Sequence, residues 1–292
     1  MSRWRSVAYA ALLAVAALLI AWRWTELSDI WRNHGLTFVV ITILMFVGTV
    51  VQARNFRSFL PLPNRPSLAF MTRIWALATL ANYLGPFQPG LAVRVAMLAR
   101  AGVSAVESSI ATARHVFASL WLSLFVAGVS LLALSTVTAM LPACGLLLLF
   151  VSVSLGLPTL RRLVGRVFAG RGAAGIGAHV EKAMTLPTLP VALGVMSQFV
   201  VSAAVFYVGY RQFGAEITVA SAFGLASVLY ATSVVAVVPG NFGMLEALLT
   251  LFGRANDLPV DQALALAFLF RGANLTSTML LAAIPISGGA RT

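Results

Sequence analysis

Long apolar runs, separated by short charged clusters, set the pattern of this chain. A helix crosses the hydrocarbon core of a bilayer with about 20 predominantly apolar residues. Six runs are read as full spans: Val7–Ala21, Leu36–Gln52, Ser109–Val137, Leu141–Leu157, Val191–Tyr210 and Ala263–Ile286. Two further runs are broken. Ser67–Tyr83 stops at Gly85-Pro86-Phe87-Gln88-Pro89-Gly90 and resumes as Leu91–Ala99. Val219–Val238 stops at Pro239-Gly240-Asn241-Phe242-Gly243 and resumes as Met244–Phe252. Proline removes a backbone donor and glycine loosens a helix. Within a bilayer such breaks persist only where protein or a watery cavity satisfies the freed backbone groups. The resumed pieces are about ten residues, roughly 15 Å as helix, too short to cross. The pattern therefore predicts two re-entrant helical hairpins, each returning to the side from which it entered.

The expected fold is all-α: a polytopic membrane protein of about six full spans and two re-entrant hairpins, forming a single integral membrane domain over residues 1–292. This arrangement contains a repeat. A span, a hairpin and a second span occupy about 36–137, and the same unit recurs in opposite orientation over about 190–286. Both hairpin turns carry Pro-Gly, at Pro89-Gly90 and Pro239-Gly240. In each unit a Val stands eleven residues before an Arg within the following span, Val103 before Arg114 and Val260 before Arg271. Inverted repeats with broken helices recur among transporters, whose sites lie where the repeats meet.

Composition sharpens this picture. Of the 292 residues 60% are hydrophobic and 10% charged, against roughly half and a quarter in ordinary soluble domains. That excludes a soluble globule, a disordered chain, a collagen-like fibre and a disulfide scaffold. The net charge of +12 sits in clusters between apolar runs, so it is read as topology signal and anionic-lipid contact. Nucleic acid is not an expected partner. The lone Cys144 permits no intramolecular disulfide, and no metal or cofactor site is expected. Ser2-Arg3-Trp4-Arg5 before Val7–Ala21 resembles the start of a signal peptide, but Trp22-Arg23-Trp24 follows in place of a small-residue cleavage site. An uncleaved first span is expected. With both termini cytoplasmic, 13 cations and two acids lie inside, four cations and five acids outside, as the positive-inside rule requires. The Gly-rich basic stretch at about 158–189 is expected to be a cytoplasmic linker; its run Gly170–Gly177 lacks the preceding strand, Lys and Ser/Thr of a phosphate loop.

Four ionisable groups remain at membrane depth: Arg94, Arg114, Glu246 and Arg271. A charge at the bilayer centre costs about 2.5–3.5 kcal/mol on insertion scales, so such groups mark pathways or pair with one another. Arg94 follows Gly90 by four residues and Glu246 follows Gly240 by six, so meeting hairpin tips would bring them together. Three Arg and one Glu suit an anionic headgroup, because guanidinium forks bind phosphate and carboxylate bidentately. The candidate binding residues are Arg94, Arg114, Glu246 and Arg271, with Gly90, Pro239, Gly240 and Gly243 shaping the turns. Asn82, Gln88, Asn241 and Asn274 are assigned to freed backbone groups, His115 to the packed core, and His34 and His179 to loops.

Asn82-Tyr-Leu-Gly-Pro-Phe-Gln-Pro-Gly-Leu-Ala-Val-Arg94 resembles the first signature of the flippase-like transmembrane domain of lysylphosphatidylglycerol synthases. Pro239-Gly-Asn-Phe-Gly-Met-Leu-Glu246 resembles its second, and Val260-Asp-Gln-Ala-Leu-Ala-Leu-Ala-Phe-Leu-Phe-Arg271 its third. The similarity covers nearly the whole chain. Two positions depart from the family pattern: Leu91 stands where Glu usually follows Gly, and Ala113 where Glu usually precedes Arg. Both changes remove acids from the first repeat and leave a more cationic site, better matched to phosphate than to an aminoacylated headgroup. The soluble aminoacyl-transfer domain of the synthases is not expected, since residues end at Thr292 just after the last span.

The resemblance implies a flippase-like protein that translocates or binds an anionic (phospho)lipid headgroup, located in a bacterial inner membrane. Its expected partner is membrane lipid, and it is not expected to be an enzyme. The alternatives are a membrane-embedded lipid-modifying transferase, for which no carboxylate cluster or Ser-His-Asp set is seen, and a non-transporting partner of another membrane subunit or of a further copy.

Overall fold

A computed structural model of the chain describes residues 24–61, 65–84, 89–134, 140–156, 186–233 and 243–284. All regular structure among them is α-helical: α1 (Trp24–Phe59), α2 (Leu68–Leu84), α3 (Pro89–Arg100), α4 (Ala105–Ala133), α5 (Met140–Gly156), α6 (Leu189–Gln212), α7 (Val219–Ser233), α8 (Met244–Arg254) and α9 (Val260–Ala283). The expected span Val7–Ala21, residues 158–185 of the expected linker, Gln88, Pro239, Gly240, Asn241 and both chain ends lie outside the described residues.

Four of the described helices are long and apolar enough to cross a membrane: 32–59 within α1, α4, α6 and α9. The protein is a polytopic helical membrane protein. By contrast α2, α3, α5, α7 and α8 have 17, 12, 17, 15 and 11 residues, so α5, expected as a full span over Leu141–Leu157, falls with the shorter apolar helices. At 1.5 Å per residue they measure about 16–26 Å, short of the roughly 30 Å hydrocarbon core.

Local sequence explains most helix starts. Ser104 and Glu107 form a reciprocal capping box at α4: Glu107 N–H donates to Ser104 Oγ (3.1 Å) and Ser104 N–H to Glu107 Oε2 (3.2 Å). Proline stands in the first turn of α6, where its missing donor costs nothing. Pro259 precedes α9. Several boundaries differ from the sequence reading. The apolar span expected over Leu36–Gln52 runs 32–59, within a helix that begins at Trp24, because Trp24–Asn33 contains no Pro or Gly and continues as helix to a kink at His34 (φ −119°, ψ 20°); α4 begins at Ala105, four residues before the expected Ser109. The last span begins at Val260, three residues before the expected Ala263. His34, expected in a loop, sits at that kink with its ring stacked on Phe213 (4.1 Å, 15°).

Helix packing joins the two halves of the chain closely. α1 packs on α6, α4 on α7, and α9 on both α1 and α2, while α2–α3 and α8–α9 pack within their own halves. Two apolar cores result. One gathers Phe56, Met71, Ile74, Leu98, Leu122 and Phe199 around the C-terminal part of α1. The other gathers Ile41, Phe206, Tyr210, Leu249, Leu266 and Phe270 around α6 and α9. The helix ends and loop beside the first core carry Arg54, Arg57, Arg65, Arg73 and Arg100 against Glu107, while the opposite end carries Arg32, Arg211 and Arg254 with Glu216, Asp257 and Asp261. Arg57 and Arg65 tie the α1–α2 connection by donating to the carbonyls of Pro66, Leu60 and Ser58.

Candidate functional site

Arg271 is the twelfth of the 24 residues of α9, hence near the middle of a membrane-length helix. It is 5% exposed and forms a buried salt bridge with Glu246 through its Nε. Glu246 stands in the first turn of α8, where its second oxygen accepts the Gly243 N–H (2.8 Å). Gly243 adopts φ 84° here, a left-handed conformation that glycine takes without steric penalty. One carboxylate thus satisfies a freed backbone donor at the start of a short helix and neutralises a buried cation. Tyr83, at the far end of α2, completes the group. Its ring lies 5.5 Å from the Arg271 guanidinium carbon, and its hydroxyl accepts from Asn274 Nδ2 (3.0 Å). The ends of α2 and α8, from different halves of the chain, therefore both meet the middle of α9.

Gly90 opens α3 beside the end of α2. Its N–H donates to Asn82 Oδ1 (2.8 Å), and a Cβ at this position would stand 2.1 Å from the Ala78 carbonyl oxygen. Only glycine permits that crossing. Asn82 has the backbone-satisfying role expected of it. Asn274 is corrected: its side chain bonds the Tyr83 hydroxyl instead of a freed backbone group, because α9 is unbroken at that point.

Arg94 lies on α3, 8% exposed, with its guanidinium carbon 4.0 Å from the Trp75 ring centroid and 4.9 Å from that of Phe56. His115 is buried and meets Phe56, Phe59 and Trp75 edge-on at 5.8, 5.7 and 5.3 Å, in the packed-core role expected of it. Arg114 is half-buried, 5.8 Å from the Phe59 ring. Trp75 in turn donates to Gln52 Oε1 (2.9 Å), and Gln52 Nε2 to the Tyr230 hydroxyl (3.0 Å). That chain links α2 through α1 to α7.

The four charged residues singled out by sequence thus fall into two groups. Glu246 and Arg271 touch; Arg94 and Arg114 flank Phe56 and Phe59, one turn apart on α1. No contact joins one pair to the other among the described residues. Tyr83, Trp75, Gln52 and Tyr230 escaped the sequence reading. Tyr83 lies inside the first signature, so its position was visible; the others are aromatic or amide residues within apolar runs and carry no local signal.

A family model, that of the lysylphosphatidylglycerol synthase TM region, matches residues 8–282. Comparison with curated proteins finds no match. The segments around Tyr83, Glu246 and Arg271 that meet on α9 all fall within the matched span, which takes in nearly the whole chain, and on that match the chain belongs to the lysylphosphatidylglycerol synthase TM-region family.

Proposed function

We propose that this protein is a flippase-like membrane protein that binds an anionic phospholipid headgroup and passes it across the bilayer, its acyl chains remaining in lipid. The single observation that carries the reading is the meeting of Tyr83, Glu246 and Arg271 at mid-length of α9. Ionisable groups at that depth mark substrate pathways by default, and transporters place their sites where broken helices of two repeats converge. In this reading α2–α3 and α7–α8 are re-entrant pairs, which agrees with their short lengths. The two halves form an inverted repeat that rocks about the site, and the Arg-rich end faces the cytoplasm of a bacterial cell. Four packing pairs support the repeat, while the close packing of α2 on α3 has no counterpart of like extent between α7 and α8 among the described residues. α1–α2 has its counterpart in α6–α7, α3–α4 in α8–α9, α2–α9 in α7–α4, and α1–α9 in α6–α4. The protein moves its lipid without altering it chemically.

The test is translocation of fluorescent phosphatidylglycerol in liposomes containing the purified chain. Arg271→Ala is expected to slow it by about tenfold or more, a loss of at least one decade in rate, while eluting as a folded protein from detergent. Arg271→Lys, which keeps the charge, should retain part of the activity. Translocation at the wild-type rate in folded Arg271→Ala contradicts the proposal.

A further inference from the structure

The two buried charge groups are not equivalent, and the difference assigns them separate tasks. Arg271 has Glu246. Arg114, at the corresponding place in the first half, has no carboxylate, and neither has Arg94, among the described residues. The Nε atoms of both Arg94 and Arg114 are buried without a hydrogen-bond partner. The sequence explains why. Of the eight acids, Glu246 is committed to Arg271 and Glu107 to the cap of α4. Glu26 and Asp29 belong to the first turns of α1, Glu216, Asp257 and Asp261 to the opposite end, and Glu181 to the basic stretch. Residues 85–88 and 234–242, which join the short helices, contain no acid. A buried guanidinium with an unmade donor is costly. Aromatic faces at 4.0 and 4.9 Å offset part of that cost for Arg94, but they do not satisfy its buried Nε–H.

We infer that Arg94 and Arg114, mounted on the Phe56–Phe59 edge of α1, form a phosphate-binding site in the first half of the protein, separate from the Glu246–Arg271 pair, whose charges offset one another. The inference rests on the lipid-handling reading above and specifies its ligand: a phosphate group whose headgroup carries no amine, since among the described residues no carboxylate pairs with Arg94 or Arg114. Arg94 lies six residues before the end of α3 and Arg114 ten residues beyond Ser104, about 9 and 15 Å of helix rise from the connecting loop. That is deeper than a snorkelling surface cation, and within reach of a phosphate drawn in from the Arg-rich end. Trp75, beneath Arg94, connects through Gln52 to Tyr230 on α7. A phosphate that draws Arg94 off the indole therefore acts on a contact between the halves.

The test uses the full chain in detergent, with retained lipid counted by native mass spectrometry and thermal stability measured alongside. Phosphatidylglycerol and phosphatidic acid should bind about tenfold more tightly than phosphatidylethanolamine, one decade in Kd. Arg94→Gln/Arg114→Gln should lose about tenfold in phosphatidylglycerol affinity, Arg94→Lys should fall between, and Arg211→Gln/Arg254→Gln, which removes two exposed cations at the opposite end, should bind as wild type. Inorganic phosphate is run beside the lipids. Stabilisation by phosphate equal to that by phosphatidylglycerol assigns the site to the free anion; stabilisation by lipid alone assigns it to the headgroup. Unchanged phosphatidylglycerol binding by a folded Arg94→Gln/Arg114→Gln variant overturns this inference and leaves the lipid-handling reading standing. Failure of the wild type to bind any anionic lipid overturns both.

Discussion

Glu246 does two things at once, and each has a cost if removed. It accepts the Gly243 N–H at the start of α8 and neutralises Arg271. Glu246→Ala leaves a buried guanidinium uncompensated, which typically destabilises by about 3–5 kcal/mol. A large fall in the thermal midpoint of the detergent-solubilised protein is expected. The double variant Glu246→Ala/Arg271→Met removes both charges and should recover much of the loss, because the penalty lies in the orphaned ion more than in the missing pair. Tyr83→Phe loses the hydroxyl that accepts from Asn274 and also meets the Arg271 guanidinium. Interhelical side-chain hydrogen bonds in membranes average about 0.6 kcal/mol, so its midpoint should shift only slightly. A fall as large as that of Glu246→Ala would show that Tyr83 holds the two halves together by more than this bond.

At the scale of elements, the short helices depend on how their ends are resolved. Gly90→Ala places a methyl 2.1 Å from the Ala78 carbonyl oxygen. Since backbone cannot yield as a side chain can, α3 must move off α2, at about 1–3 kcal/mol as for other overpacked sites. The variant should show a lowered thermal midpoint and faster proteolysis, and wild-type behaviour in both would place the two helices farther apart than described. These elements were legible because Pro and Gly interrupt the apolar runs at Gly85–Gly90 and Pro239–Gly243, and the remaining pieces are shorter than a membrane is thick. The start of α1 was not legible. A hydropathy count stops where polar residues begin, but Trp24–Asn33 remains helical regardless of polarity. The pairing of Glu246 with Arg271 could be anticipated from charge. The stacking of Arg94 on Trp75 and Phe56 could not, because an aromatic residue in an apolar run looks the same whether it faces lipid or a guanidinium.

For the whole molecule, helix packing through two apolar cores joins the halves, and a few polar contacts cross between them. Gln52–Tyr230, Asn55 to the Gly194 carbonyl (2.6 Å) and Gln198 to Ser119 (3.0 Å) lie toward the Arg-rich end, and Tyr83–Asn274 at mid-length of α9. Sidedness follows from the charge at the two ends. With Cys144 replaced by Ala, a single cysteine at exposed Ala105 should react with a membrane-impermeant maleimide only in inverted vesicles, and one at exposed Ala255 only in intact cells. The reverse pattern would invert the orientation but keep the architecture. The architecture itself turns on where the ends of α2 and α8 lie. The measurement that probes this most directly is spin-label depth, by collision with oxygen and with a water-soluble nickel chelate, at Leu84→Cys (78% exposed) and Met244→Cys (38% exposed) in bilayers. The account predicts both labels near the bilayer centre, about 15 Å from either edge of the hydrocarbon core, and both still reached by the nickel chelate. Either label at the headgroup level, or both deep but reached only by oxygen, contradicts it.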